Sequence, residues 1–82
     1  MFTVYVLYSD TGRKIYIGYT SNLEHRLLSH NELGKKGWTI RFRPWTLIHT
    51  ETFATKEEAM LREKQLKGAK GREWIWTTLV KK

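Results

Sequence analysis

Apolar and polar positions along the chain keep two rhythms, a period of two and a period near 3.6, and the changes between them mark out its elements. Residues 2–8 alternate, with Phe2, Val4, Val6 and Tyr8 on one face and Thr3, Tyr5 and Leu7 on the other, in a run of β-branched and aromatic residues that predicts a strand. Ser9, Asp10, Thr11 and Gly12 carry turn chemistry. Ile15, Ile17 and Tyr19 then alternate with Lys14, Tyr16 and Gly18, a second strand that closes a β-hairpin. Paired residues of such a hairpin face the same way. A two-residue loop (Asp10 opposite Arg13) or a four-residue loop (Tyr8 opposite Arg13) puts Tyr5 and Tyr16 on one face, whereas a three-residue loop separates them. The shared face is the expectation.

Past Gly18, a position that allows close approach to the strand backbone, the period lengthens. Ser21 and Glu24 stand at the spacing of a capping box and predict a helix over 21–31, with Leu23, Arg26, Leu27 and His30 on one stripe. A guanidinium and an imidazole on the stripe of the core leucines are more than solubility requires. Residues 32–44 have no clean period and hold Lys35, Lys36, Arg41 and Arg43, a basic loop that Pro44 ends. In 45–53, Trp45, Leu47, His49, Glu51 and Phe53 alternate with Thr46, Ile48, Thr50 and Thr52, giving a further strand. Thr55 and Glu58 repeat the capping-box spacing and open a helix over 56–67 that Gly68 terminates. Ala59, Glu63 and Leu66 share a stripe of that helix, so Glu63 is a carboxylate on an otherwise apolar seam, while Glu57 and Lys64 point to water. In the tail, Trp74, Ile75, Trp76, Leu79 and Val80 fit no single face; it reads as a short helix over 72–80, with a strand as the alternative. These elements make an α+β fold. Without a repeat, linker or low-complexity segment, 1–82 reads as one domain.

The chain contains no cysteine, which excludes disulfides and thiolate metal sites and suits a reducing compartment. It also has no apolar run near the ~18 residues of a membrane span and no signal-peptide layout at its start, so the expectation is a cytoplasmic protein without a membrane partner. Fifteen Lys and Arg against eight Asp and Glu leave a net charge of +7, which favours polyanions, nucleic acid above all. Four Trp, four Tyr and three Phe supply rings that can stack on bases, although most aromatics in so small a chain belong to its core.

Taken singly, the candidate residues have structural explanations: Tyr5 and Tyr16 as strand residues, Arg26 as an amphipathic edge, His30 as a helix-end group, Glu63 as the partner of a lysine. Together they match the needs of phosphodiester hydrolysis, which are a group to take a proton from water, a cation on the phosphate and help for the leaving oxyanion. The set lacks the several carboxylates of a two-metal site and the clustered histidines of a zinc site. The compatible metal is one hard ion such as Mg²⁺, held by Glu63 and waters.

Over residues 2–80 the sequence resembles a GIY-YIG nuclease domain, in particular the small stand-alone members of that family. Thr3-Val4-Tyr5 stands at the first triplet and Tyr16-Ile17-Gly18 at the second; Arg26 falls at the helix arginine, and His30-Asn31 resembles the His-Asn that often follows. The run from Glu58 through Ala59 to Glu63 resembles the Glu-Ala-x-x-x-Glu helix, making Glu63 the counterpart of the metal-binding glutamate. The resemblance implies a central three-stranded antiparallel sheet flanked by helices in the order ββα-β-α-α. It also implies single-metal cleavage of DNA, with Mg²⁺ or Mn²⁺ on Glu63, the scissile phosphate on Arg26, and Tyr16 as base with Tyr5 as its partner and His30 as the second candidate. Repair or recombination would be the setting. Two departures bear on activity: Thr3 replaces the glycine of the first triplet, and Tyr19 follows Gly18 where many active members carry a lysine or arginine. Arg41, Arg43 or Lys67 would then supply the missing cation, and the expected nucleic-acid contacts are Tyr19, Lys35, Lys36, Arg41, Arg43 and Lys67. Family nucleases commonly carry a separate DNA-binding domain, so a partner protein that supplies targeting is also expected. The alternatives are a non-catalytic nucleic-acid-binding module with a degraded nuclease site and, more remotely, a structural subunit whose aromatic tail docks a partner.

Overall fold

β1 (Phe2–Ser9) runs between two antiparallel neighbours, β2 (Lys14–Thr20) and β3 (Thr46–Phe53), in a sheet of order β2-β1-β3. The computed structural model describes residues 1–29, 31 and 41–80. Together with the helices below, this is the expected α+β arrangement. Tyr5 pairs with Gly18, Leu7 with Tyr16 and Ser9 with Lys14. That is the register of the two-residue loop, but pairing stops at Ser9 and Lys14 and residues 10–13 form the turn. The side chain of Ser9 holds the turn from inside, accepting the Gly12 N–H and donating to the Phe42 carbonyl. Arg13 takes the left-handed backbone region at φ 50°.

The third strand departs from simple alternation. Between β1 and β3 the register shifts by one residue at Val6/Leu7, so Ile48 is the extra residue of a β-bulge. A one-residue shift turns every side chain beyond it to the other face. His49, Glu51 and Phe53 therefore share a face with Val4 and Val6, while Trp45, expected on that same side, is buried against Tyr5 and Leu7 on the opposite one.

The two faces of the sheet carry separate cores. On one, Val4, Val6, Tyr8, Ile15 and Ile17 pack against Ala59 and Leu66 of α2 (Lys56–Lys67) and against Ile75. On the other, Tyr5, Leu7 and Trp45 pack with Tyr16, Phe42 and the two leucines, Leu23 and Leu27, of α1 (Leu23–Leu28). α1 starts two residues later than expected and is capped by Asn22 rather than by a Ser21–Glu24 box. The Asn22 carboxamide oxygen accepts the His25 N–H at 3.0 Å, and Thr20 Oγ1 in turn accepts the Asn22 N–H at 3.0 Å. Asparagine is as strong a cap as serine, and this threonine fixes its backbone. The α-helix ends at Leu28, short of the expected residue 31, and residues 29 and 31 carry the wider π-helical winding. Asn31 then grips the start of the third strand, accepting the Trp45 N–H at 2.6 Å and donating to the Trp45 carbonyl at 3.1 Å.

α2 forms as its sequence requires, with a complete Thr55–Glu58 capping box and its end at Gly68. α3 (Ala69–Trp74) begins immediately, three residues before the expected start. Gly71 makes that possible, since a Cβ there would collide with the backbone of Gln65 and Leu66. From Ile75 to Val80 the chain winds as a π-helix. This wider turn explains why the tail matches neither period; Ile75, Trp76, Leu79 and Val80 reach the first core from it, and Trp74 does so from the end of α3. Among the described residues no helix is long and apolar enough to cross a membrane.

A polar network fastens β3 to α2 across that core. Glu51 receives two hydrogen bonds from Arg62, at 2.9 and 3.0 Å, and lies 2.7 Å from the His49 ring, while the Arg62 guanidinium and the His49 ring both lie against Trp74. The Arg62 hydrogen bonds, and to a lesser extent His49, hold the Glu51 carboxyl below the usual carboxylate range despite partial desolvation. A carboxyl lowered in the folded state stabilises fully above its unfolded value of about 4.3 and loses that contribution as pH falls through its folded value. Thermal unfolding of Glu51→Gln should accordingly show a lower Tm than wild type at pH 7, with the difference shrinking below pH 4. Equal differences at both pH values would show that the network contributes no charge-dependent stability.

Candidate functional site

Tyr5 is 1% exposed, and its ring lies over the backbone of Gly18 on the neighbouring strand. A Cβ at Gly18 would stand 2.6 Å from the phenol oxygen and 2.8 Å from Cζ, so only glycine lets the ring lie there. The register that pairs Tyr5 with Gly18 also sets Tyr16 diagonally beside it, the two rings stacked with centroids 6.3 Å apart and 19° between planes. Trp45 meets Tyr16 edge-on from the far side, 6.3 Å between centroids. The two phenols are thus fixed by packing on a strand pair rather than by a loop.

Both phenols open into a cleft of about 540 Å³ at the free edge of β2, bounded by α1 on one side and α2 on the other. Arg26 of α1 and Glu63, Lys56 and Lys67 of α2 complete its chemistry, with Tyr19, Thr20 and Ser21 along the strand end. Burial pushes the Tyr5 phenol well above its ordinary range; Tyr16 and Glu63 act in the same direction and Arg26 opposes them. A phenol shifted in this direction keeps its proton at neutral pH. The Glu63 side chain is 20% exposed, with Lys67 Nζ 3.4 Å from one of its oxygens.

Of the residues singled out from the sequence, Tyr5, Tyr16, Tyr19, Arg26, Glu63 and Lys67 line this one cleft. Arg41 and Arg43 do not. The Arg43 guanidinium donates to the Ser29 carbonyl at 3.3 Å, and Arg41 is exposed outside the cleft. His30, Lys35 and Lys36 lie outside the described residues. Further polar residues line it that the sequence reading does not single out as site residues, Thr20, Ser21 and Lys56. Lys56 stands seven positions before Glu63, two helical turns along the same face, a signal present in the sequence. Ser21 also lines the cleft, and the cap expected of it is made by Asn22.

The model of the GIY-YIG catalytic domain matches residues 1–77. The chain belongs to the GIY-YIG family. It is 44% identical over 64 residues to a UPF0213 protein of Bacillus velezensis, a match covering 74% of this chain and 65% of that protein. A UPF0213 protein of Halobacterium salinarum is 40% identical over 67 residues, covering 82% and 86%. The solution NMR structure of a UPF0213 protein from Bacillus halodurans superposes with a TM-score of 0.56 at 29% identity, covering 94% of this chain and 84% of that one. The chain spans just under two thirds of the Bacillus velezensis and Staphylococcus haemolyticus relatives it matches. In family terms, the second triplet ends on Gly18, and its partner across the sheet is the tyrosine of the first.

Gly18→Ala tests the close approach directly. Overpacking of this kind costs roughly 1–3 kcal/mol. Chemical denaturation should show that loss, and Tyr5→Phe in the same background should recover part of it by removing the nearest atom. An additive double mutant would mean that the two residues do not press on each other.

Proposed function

We propose that this protein is a metal-dependent DNA endonuclease that hydrolyses phosphodiester bonds by a one-metal mechanism, working in the cytoplasm in DNA repair or recombination. The observation that carries this reading is the convergence of Tyr5, Tyr16, Arg26 and Glu63, which come from four elements (β1, β2, α1 and α2) and both faces of the sheet, on one cleft. Membership of a catalytic-domain family gives that convergence its chemical direction.

Among the described residues no group of three or more His, Cys, Asp or Glu is placed to hold a metal, so a closed protein cage does not fit. A hard ion that keeps several waters and takes one carboxylate plus substrate phosphate does fit, and Glu63 is the carboxylate. Mg²⁺ or Mn²⁺, when bound, would supply charge neutralisation and polarisation at the phosphate. Arg26 supplies a fork of N–H donors to the phosphate oxygens. Tyr5, kept neutral by burial, donates a hydrogen bond that orients the attacking water, and Tyr16, acting as a phenolate after its own proton has passed to solvent, takes that water's proton as the oxygen bonds to phosphorus. The bond from phosphorus to the leaving sugar oxygen breaks, and solvent protonates that oxygen. His30 is the second candidate for the base. Lys56 and Lys67 hold the flanking phosphates, in place of the cation that Tyr19 displaces.

The 3.4 Å pairing of Lys67 with Glu63 favours a second reading, a nucleic-acid-binding module in which the acid is already neutralised. Incubation of single-stranded, duplex and branched DNA with Mg²⁺ or Mn²⁺ separates the two. Cleavage should disappear on chelation, fall by about 100-fold or more in Arg26→Ala and Glu63→Ala, and suffer more from Tyr16→Phe than from Tyr5→Phe. Binding that weakens with salt while every substrate stays intact would establish the module instead.

A further inference from the structure

The cleft does not end at Tyr16. A second cavity along the free edge of β2, about 320 Å³, shares Tyr16, Ile17 and Lys67 with it and adds Ile15 and Arg72. A third, about 480 Å³, shares Ile15 and Arg72 with the second and reaches Arg13, Lys14, Phe42 and Trp76 at the hairpin turn. The three form one trough along the unpaired edge of the sheet. From Gly18 to Lys14 it follows about 13 Å of strand, at ~3.3 Å per residue.

Its lining is strongly biased. Among the described residues six cations border it, Arg26, Lys56, Lys67, Arg72, Arg13 and Lys14, against the single acid Glu63. At the end remote from Glu63 stand two partly exposed rings, Phe42 and Trp76. The Trp76 indole is held edge-on by Tyr8, with centroids 6.0 Å apart, and the Lys14 ammonium lies 6.0 Å from the centre of the Phe42 ring. A row of cations explains attraction for any polyanion. Aromatic surface within that row is suited to an unpaired base, because a paired base offers its face only to its neighbours in the stack.

We propose that the hairpin end of this trough is a nucleobase subsite, in which Trp76, flanked by Phe42, stacks a base of an unpaired strand whose backbone follows Arg72 and Lys67 back to the cleft. The proposal rests on the endonuclease reading for the strand's path and adds to it a substrate class, DNA with a single-stranded segment next to the scissile phosphate. Lys14 gives the stacked nucleotide its phosphate contact. Arg72 makes no side-chain hydrogen bond or ion pair within the described residues, so it is available to the backbone.

The test is equilibrium binding, by fluorescence anisotropy without divalent metal, of a labelled single-stranded oligonucleotide, the same strand with consecutive abasic sites over half its length, and its duplex. The intact single strand should bind about tenfold more tightly than the abasic one, the scale of one base–aromatic stack. Trp76→Leu, which keeps apolar contact with Tyr8, should erase that preference, and Trp76→Phe should retain much of it. Arg72→Gln should weaken all three ligands alike and lower the salt slope by about one. Equal binding of intact and abasic strands by the wild-type protein would overturn the subsite whatever the variants do. Cleavage of the same DNA with Mn²⁺ by wild type and Arg26→Ala reports separately on the catalytic reading: cutting lost in Arg26→Ala with no abasic effect would reject the subsite alone, and an abasic effect without cutting would reject the catalytic reading alone.

Discussion

The site depends on one contact, the ring of Tyr5 lying on the bare backbone of Gly18. It requires the hairpin to pair Tyr5 with Gly18, and this register also brings Tyr16 beside Tyr5 and leaves the two phenols facing one way. A slip of one residue would send Tyr16 into the other core and separate them. Ser9 stabilises the correct turn by bonding to Gly12 and to Phe42, so the geometry of two site residues is fixed in part at the far end of their strands.

Around that contact the cleft is assembled from two layers that otherwise share nothing but the sheet. α1 lies on the face with Tyr5 and Tyr16 and contributes Arg26; α2 packs on the opposite face and contributes Glu63. They meet only because β2 is an edge strand, past which side chains from both layers extend. This separation divides the charge as well: the acid sits on α2 with Lys67 as its neighbour, while the guanidinium approaches from the other side. A centrally placed strand would have kept the layers apart.

Much of this was legible in the sequence, and the reasons for the remainder are physical. The hairpin, the capped helix from Lys56 to Lys67 and the inward Glu63 follow from local rules, in which spacing alone decides which side chains share a face. The cap of α1 was misassigned because two competent caps stand side by side and the choice fell to Asn22, whose backbone Thr20 fixes. The side on which Trp45 lies was misread because a bulge at Ile48 interrupts an alternation that looks unbroken on paper. The tail had no readable period because it is wound as a π-helix and because Gly71 allows α3 to start against the end of α2, a tertiary effect. Arg43 resembled a phosphate ligand only as one charge in a basic run; its bond to the Ser29 carbonyl belongs to the folded chain.

The paired bonds between Asn31 and the backbone of Trp45 act as a clasp. The Ser9 hydroxyl reaches the carbonyl of Phe42, three residues before Trp45, and the Arg43 guanidinium reaches the Ser29 carbonyl. The entry to the third strand is thus where the hairpin turn, the end of α1 and β3 are tied to one another, and a change at this short segment would be felt in all three.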